Sequence, residues 1–216
     1  MKPTTVLFDL DGTLLNSGID VAHALNIYVE RQGFPAQPYE KVEPLIPLGS
    51  GGMLKLAMNL DKDDSDFEKH RQGFFDVYER HFLDHTQLYP GVMDMLDTLD
   101  EKNIKWGIVT NKITRLTKPV LRQLNLLDRV GVLVCADTLA HKKPHPEPIL
   151  HACKTLGSKP AETFFVGDGI YDLRSSQNAG TKFLVALYGY TPTDEDASEW
   201  PAVGYLNSAS EVLDFL

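Results

Sequence analysis

Asp9 and Asp11 are delivered onto a turn by the apolar run Val6-Leu7-Phe8, with Gly12 and Thr13 directly behind them. Residues two apart in a strand face the same side, so both carboxylates crown the strand's carboxyl end, where open α/β sheets place their ligand crevice. Such a pair can divide labour: one carboxylate attacks an electrophile while the other moves protons or helps to hold a metal. Two close like charges repel, so the arrangement needs a cation beside it. The plainer readings are a solvated turn or the opening of a calcium loop. The calcium loop fails, because Leu14 and Leu15 stand where further oxygen ligands are needed and its twelfth position holds Asp20 instead of Glu.

Three further polar clusters stand beside or after apolar runs. Thr110 and Asn111 follow Trp106-Gly107-Ile108-Val109, Lys142 and Lys143 precede Pro144-His145-Pro146, and Asp168 and Asp172 follow Phe164-Phe165-Val166-Gly167. A spacing of four returns Asp172 to the face of Asp168 in a helical turn. Taken singly, Asp168 and Asp172 read as a helix N-cap and a first-turn acid, and Thr110-Asn111 reads as a turn.

With the Asp-x-Asp-Gly-Thr turn, these clusters resemble the four motifs of the haloacid dehalogenase-like (HAD) hydrolase superfamily, in family order and across essentially the whole chain. The resemblance implies a Mg2+-dependent phosphatase. Asp9 would be the nucleophile that forms an aspartyl-phosphate, and Asp11 the general acid and then base. Mg2+ would be held by the side chains of Asp9 and Asp168 and the backbone carbonyl of Asp11, with Asp172 orienting a metal-bound water or Lys143. Thr110 and Asn111 would bind phosphate oxygens through the Thr hydroxyl and backbone N–H groups. Lys143 would supply positive charge, preferred over Lys142 because the motif places its Lys immediately before Pro. Gly12 lets the chain bend beside the phosphate. A carboxylate at Asp11 implies phosphoryl transfer rather than dehalogenation.

Within the superfamily the chain is similar to the phosphoglycolate phosphatase-like group through Lys143-Pro144-His145-Pro146-Glu147-Pro148. It is also similar to the related N-acetylmuramic acid 6-phosphate phosphatases through Ser50-Gly51-Gly52, the run from Trp106 to Lys112, and Tyr188-Gly189-Tyr190. The resemblance makes 2-phosphoglycolate the first expected substrate and N-acetylmuramic acid 6-phosphate the alternative. A β-phosphoglucomutase-like phosphotransferase would share every catalytic residue.

The elements that must position these groups follow from hydrophobic pattern. Apolar runs at Thr5 to Leu10, Trp106 to Thr110, Val130 to Cys135, Thr163 to Gly167 and Lys182 to Leu187 read as buried strands. They alternate with helical patterns, which implies a parallel sheet covered on both faces. The expected fold is an α/β, Rossmann-like HAD core, residues 1–15 and 90–216. Residues 16–89 show no convincing strand, and the resemblance implies that they are a helical C1-type cap inserted after the first strand. Leu25, Tyr28 and Val29 mark one cap helix, and Phe67, Phe74, Val77, Tyr78 and Phe82 a longer one. Gly49-Ser50-Gly51-Gly52 divides them as a flexible loop, with Gly51 a substrate contact that governs selectivity. His70, His81 and His85 line or edge a cap helix and show no metal-ligand spacing.

At 216 residues the chain holds one large domain or a domain with an insertion. A net charge of −9 argues against an extended nucleic-acid surface, and the resemblance implies a small phosphorylated metabolite as partner, bound at a local site. No apolar segment is long enough to span a bilayer. Cys135 and Cys153 read as buried free thiols rather than a disulfide framework. A cytoplasmic monomer or homodimer is the resulting expectation.

Overall fold

The computed structural model describes residues 4–190 and 196–216. Six strands, β1 (Thr5–Phe8), β4 (Lys105–Val109), β5 (Leu133–Val134), β6 (Thr163–Gly167), β7 (Lys182–Ala186) and β8 (Gly204–Leu206), form one parallel sheet in the order β5-β4-β1-β6-β7-β8. The central position of β1 explains its unbroken burial, since a parallel strand flanked on both edges and covered on both faces has no solvated side.

Alternation along β1 assigns its residues to two layers. Val6 and Phe8 pack with Val92, Met95, Leu96 and Leu99 of α5 (Val92–Glu101) and with Val120 and Leu121 of α6 (Thr114–Gln123). Leu7 faces the other way, onto Ile149 and Cys153 of α7 (Glu147–Leu156) and Leu173 of α8 (Ile170–Ala179). Period-2 strands and period-3.6 helices thus close two cores, one on each side of the sheet.

Between β1 and α5 lie four α-helices, α1 (Gly18–Arg31), α2 (Tyr39–Val42), α3 (Ser50–Met58) and α4 (Phe67–His81), with a 3-10 helix (Glu43–Leu48) joining α2 towards α3. They share a third core, in which Leu25 and Val29 of α1 meet Leu54 of α3 and Phe74, Val77 and Tyr78 of α4. Leu116 and Tyr190 reach into it from the sheet side.

The structure corrects four expectations. The segment at Gly49 to Gly52 is not a flexible loop: Gly49, at φ +74°, turns the chain into α3, and Ser50, Gly51 and Gly52 form its first turn. The segment 16–89 is not free of strand, because Leu15–Asn16 (β2) and Gln87–Leu88 (β3) pair antiparallel where the chain leaves for the helices and returns. The expected strand from Val130 to Cys135 shrinks to β5, since Val130 N–H is spent on the carbonyl of Leu126 in a turn. β8 was not expected; its three residues are too few to show a period. No helix among the described residues is long and apolar enough to cross a membrane.

Candidate active site

Parallel strands end on the same side, so the polar residues that follow β1, β4 and β6 meet at one edge of the sheet. Asp9 continues the ladder by donating its N–H to Val166 O at 2.8 Å, and its side chain emerges beside that of Asp168. Lys143 arrives from the loop before α7. Its ammonium is 2.7 Å from Asp9 Oδ1 and 2.6 Å from Asp172 Oδ1, and the residue is only 2% exposed.

Oxygens of Asp9, Asp168 and Asp172 lie within 4.8 Å of one another. Three buried or half-buried carboxylates therefore face one ammonium, and the imbalance shows in Asp9 and Asp168. Burial, then the charge of Asp172, push Asp9 up to about 7 against the opposing pull of Lys143. Asp168 is raised well above the usual carboxylate range by burial and by Asp9 and Asp172. Burial alone would lower Lys143, but Asp172 and Asp9 outweigh it and hold the ammonium above its ordinary value. A hard divalent cation would remove this excess, and an all-oxygen donor set of this kind suits Mg2+. The cluster fits such an ion.

Asp168 is held on both sides. Thr13 Oγ1 donates to its Oδ1 at 3.2 Å and Tyr190 N–H to its Oδ2 at 2.8 Å. Gly12 and Gly189 press directly against it; a Cβ on either would overlap Asp168. The glycine at position 12, at φ +83°, is required twice over, for the turn and for the close approach. Asp172 caps its own helix by accepting Gly169 N–H at 3.0 Å while its other oxygen meets Lys143.

Thr110 is buried, and its N–H is spent on Val134 O at 2.9 Å. This corrects the expectation of a backbone donor at that residue. Its Oγ1 accepts Lys112 N–H at 3.1 Å, which leaves the hydroxyl proton free to point at a ligand. Asn111 donates to Lys143 O at 3.0 Å and so ties the loop after β4 to the loop that carries the lysine.

Asp11 does not join the acidic cluster. Its Oδ1 accepts Ser17 Oγ at 2.6 Å and Lys112 Nζ at 2.9 Å, and Lys112 also donates to the Tyr78 hydroxyl on α4 at 2.7 Å. Lys112, Ser17 and Tyr78 are functional candidates that sequence reasoning missed, although Lys112 directly follows Thr110-Asn111. Tyr188-Gly189-Tyr190 now has a physical account: Tyr188 OH donates to Thr13 O at 3.0 Å, and Tyr190 braces both Asp168 and, through its hydroxyl, Gly18 N–H at 2.6 Å. Of the histidines, His70 pairs with Tyr28 OH at 2.7 Å, and His85 sits against the buried Asp20 at 2.9 Å.

Asp9, Asp11, Thr110, Asn111 and Lys143 line one side of a cavity of about 560 Å3 whose other walls come from the helices, including Gly51 of α3 and Phe74, Phe75 and Tyr78 of α4. Asp168 and Asp172 are outside its lining, behind the first row of residues.

The model of the haloacid dehalogenase-like hydrolase family matches residues 6–186. An N-acetylmuramic acid 6-phosphate phosphatase of Pseudomonas putida is 35% identical over 94% of this chain and 91% of its own. A phosphoglycolate phosphatase of Xanthomonas campestris pv. campestris is 37% identical over 93% of this chain and 90% of its own. In fold, a haloacid dehalogenase-like hydrolase of Streptococcus pneumoniae superposes with a TM-score of 0.86 at 21% identity, over 99% of this chain and 98% of that one. Motif order, sheet topology and these full-length likenesses agree, and the chain belongs to the haloacid dehalogenase-like hydrolase family.

Proposed function

We propose that this hydrolase is a Mg2+-dependent phosphatase acting through an aspartyl-phosphate. The observation that carries the reading is Lys143, whose ammonium bridges Asp9 and Asp172 beside Asp168 at the edge of the cavity. Asp9 is the nucleophile: its carboxylate attacks phosphorus in line with the ester oxygen and expels an alcohol. Asp11, held apart from the acidic cluster, gives the leaving oxygen its proton and then takes one from the water that hydrolyses the phosphoenzyme. Lys143, the Thr110 hydroxyl and Asn111 hold the phosphoryl oxygens as charge redistributes.

Asp9, Asp168 and the carbonyl of Asp11 would hold Mg2+, with Asp172 fixing Lys143 and the helix start behind them. Bound there, the ion would neutralise the surplus carboxylate charge and polarise the phosphoryl group. The helices α1 to α4 act as the cap that covers the leaving group and excludes bulk water. Two buried free thiols, Cys135 and Cys153, fit the expected reducing cytoplasm.

The cavity bears on the substrate. Its volume of about 560 Å3 and its aromatic wall of Phe74, Phe75 and Tyr78 suit a ring-sized leaving group, whereas the two-carbon acid of 2-phosphoglycolate would leave most of that wall uncovered. This supports reading N-acetylmuramic acid 6-phosphate ahead of 2-phosphoglycolate, the reverse of the order that motif resemblance alone implied. Phosphate release should be measured with both esters and with hexose phosphates, with and without Mg2+. Release that requires Mg2+ and is fastest for the acid sugar supports the reading; no release from any ester overturns it.

A further inference from the structure

The cavity carries more cationic side chains than one phosphoryl group needs. Besides Lys143 and Lys112, which are engaged by Asp9 and Asp11, it is lined by Lys62, Arg71 and Lys142. These come from three places: the connection between α3 and α4, the helix α4, and the loop that carries Lys143. Among the described residues neither Lys62 nor Lys142 has a carboxylate within 4.0 Å. Arg71 is aimed by Glu68, 2.8 Å from Nη2, and by the Phe75 ring, 5.6 Å from Cζ, yet its Nε is buried without an acceptor. Burial, together with repulsion by Lys62 and Arg71, lowers Lys142 below its ordinary value. In a chain of net charge −9 a convergence of like cations on one cavity is not background; it is an unfavourable arrangement until an anion joins it.

We propose that Lys62, Arg71 and Lys142 form a second-anion subsite, separate from the phosphoryl site, that reads a carboxylate carried on the leaving group. The inference rests on the phosphatase reading and narrows its substrate class to phosphomonoesters with an acid on the alcohol portion. Arg71 brings a planar guanidinium to the cavity wall, while the two lysines add charge without fixed geometry. Lys62 lies over Gly51, where a Cβ would overlap its Cε, so the absent side chain at position 51 makes room for this cation.

The test uses matched esters: N-acetylmuramic acid 6-phosphate against N-acetylglucosamine 6-phosphate, which lacks the acid, with p-nitrophenyl phosphate as a general phosphatase readout. Wild type should favour the acid sugar by about tenfold or more in kcat/KM, mainly through KM. In Arg71→Gln, Lys62→Gln and the double variant this preference should shrink towards unity. Lys154→Gln, an exposed change on α7, should keep it, and thermal melts establish that each variant is folded. Equal use of the two sugars by wild type overturns the subsite while leaving the phosphatase standing, as does a preference that survives the double variant. A larger preference for a hexose 1,6-bisphosphate over the hexose 6-phosphate assigns the cations to a second phosphate and overturns the carboxylate. Failure to hydrolyse p-nitrophenyl phosphate and every sugar ester with Mg2+ present overturns the phosphatase reading itself.

Discussion

The Lys112 ammonium sits 2.9 Å from Oδ1 and 3.1 Å from Oδ2 of Asp11, so a residue at the end of β4 grips the carboxylate proposed as proton carrier. On the proposed mechanism Lys112 would act as a positioning residue, and Tyr78 links the grip to α4. In Lys112→Met the carboxylate keeps only Ser17 and loses its fixed direction. Turnover of alkyl phosphates, whose poor leaving oxygen needs a proton, should fall by roughly 10- to 100-fold, within the range of general acid–base catalysis. p-Nitrophenyl phosphate, which leaves readily as an anion, should be hydrolysed nearly as well as by wild type. A uniform loss on both esters would show a merely structural role.

Asp9→Asn keeps the shape of the proposed nucleophile but removes its nucleophilicity, and Asp11→Asn removes the proposed proton carrier. Each should reduce kcat by roughly a thousandfold or more with little change in melting temperature. Substantial steady-state phosphate release by Asp9→Asn excludes an aspartyl-phosphate.

Activity should require Mg2+ and vanish with a chelator, and Ca2+ should support it poorly because its larger, more variable shell misplaces the reacting groups. Binding has a second readout. Mg2+ should raise the melting temperature of the wild type by mass action but not that of Asp168→Ala or Gly12→Ala, since a methyl at position 12 would overlap the Asp168 carboxylate. Full turnover in excess chelator would refute the metal assignment.

Bulk at Gly51 should alter selectivity and leave metal dependence intact, because this residue touches Lys62 and the cavity but none of the acidic cluster. The quantity to compare is kcat/KM for 2-phosphoglycolate and N-acetylmuramic acid 6-phosphate in Gly51→Val. Equal loss on both, or no loss, removes the first turn of α3 from the selectivity argument.

Asp20, on α1, accepts the N–H groups of His85 and Thr86 and the Thr86 hydroxyl, tying the start of the helical insertion to its end. Burial would raise this carboxyl, but the hydrogen bonds from His85 and Thr86 outweigh it and hold it below its usual value. A carboxyl lowered on folding contributes stability in full above its unfolded value of about 4, and that contribution is lost as pH falls through the folded value. Asp20→Asn should therefore cost about 2–3 kcal/mol at pH 7, roughly 4–12 °C in Tm. The gap from wild type should close in acid below about pH 4. A gap independent of pH would mean that packing, and not the charge, holds this junction.

Much of the site was legible because its residues sit at strand ends. Asp9, Thr110 and Asp168 each follow an apolar run, and parallel pairing of those runs brings their ends together without further information. Lys143 was legible from its place before Pro144, and Asp172 from its helical spacing to Asp168. The edge of the pattern was weaker: β2, β3, β5 and β8 have two or three residues each, too few for a period to appear. Glycines misled at Gly49 to Gly52, where they open a helix, because the apolar packing of Met53, Leu54 and Ala57 outweighs their low propensity.

What the sequence by itself determined is the order of the longer strands and helices and the polar residues that follow β1, β4 and β6, since both are written in local period and local composition. Only the tertiary structure decided which way Asp11 faces, what braces Asp168, and that Lys62, Arg71 and Lys142 share one cavity. Those outcomes join residues far apart in the chain, 101 positions in the case of Lys112 and Asp11. They depend on how distant loops meet at the edge of the sheet and how the helical insertion packs over them, and local period carries no record of that packing.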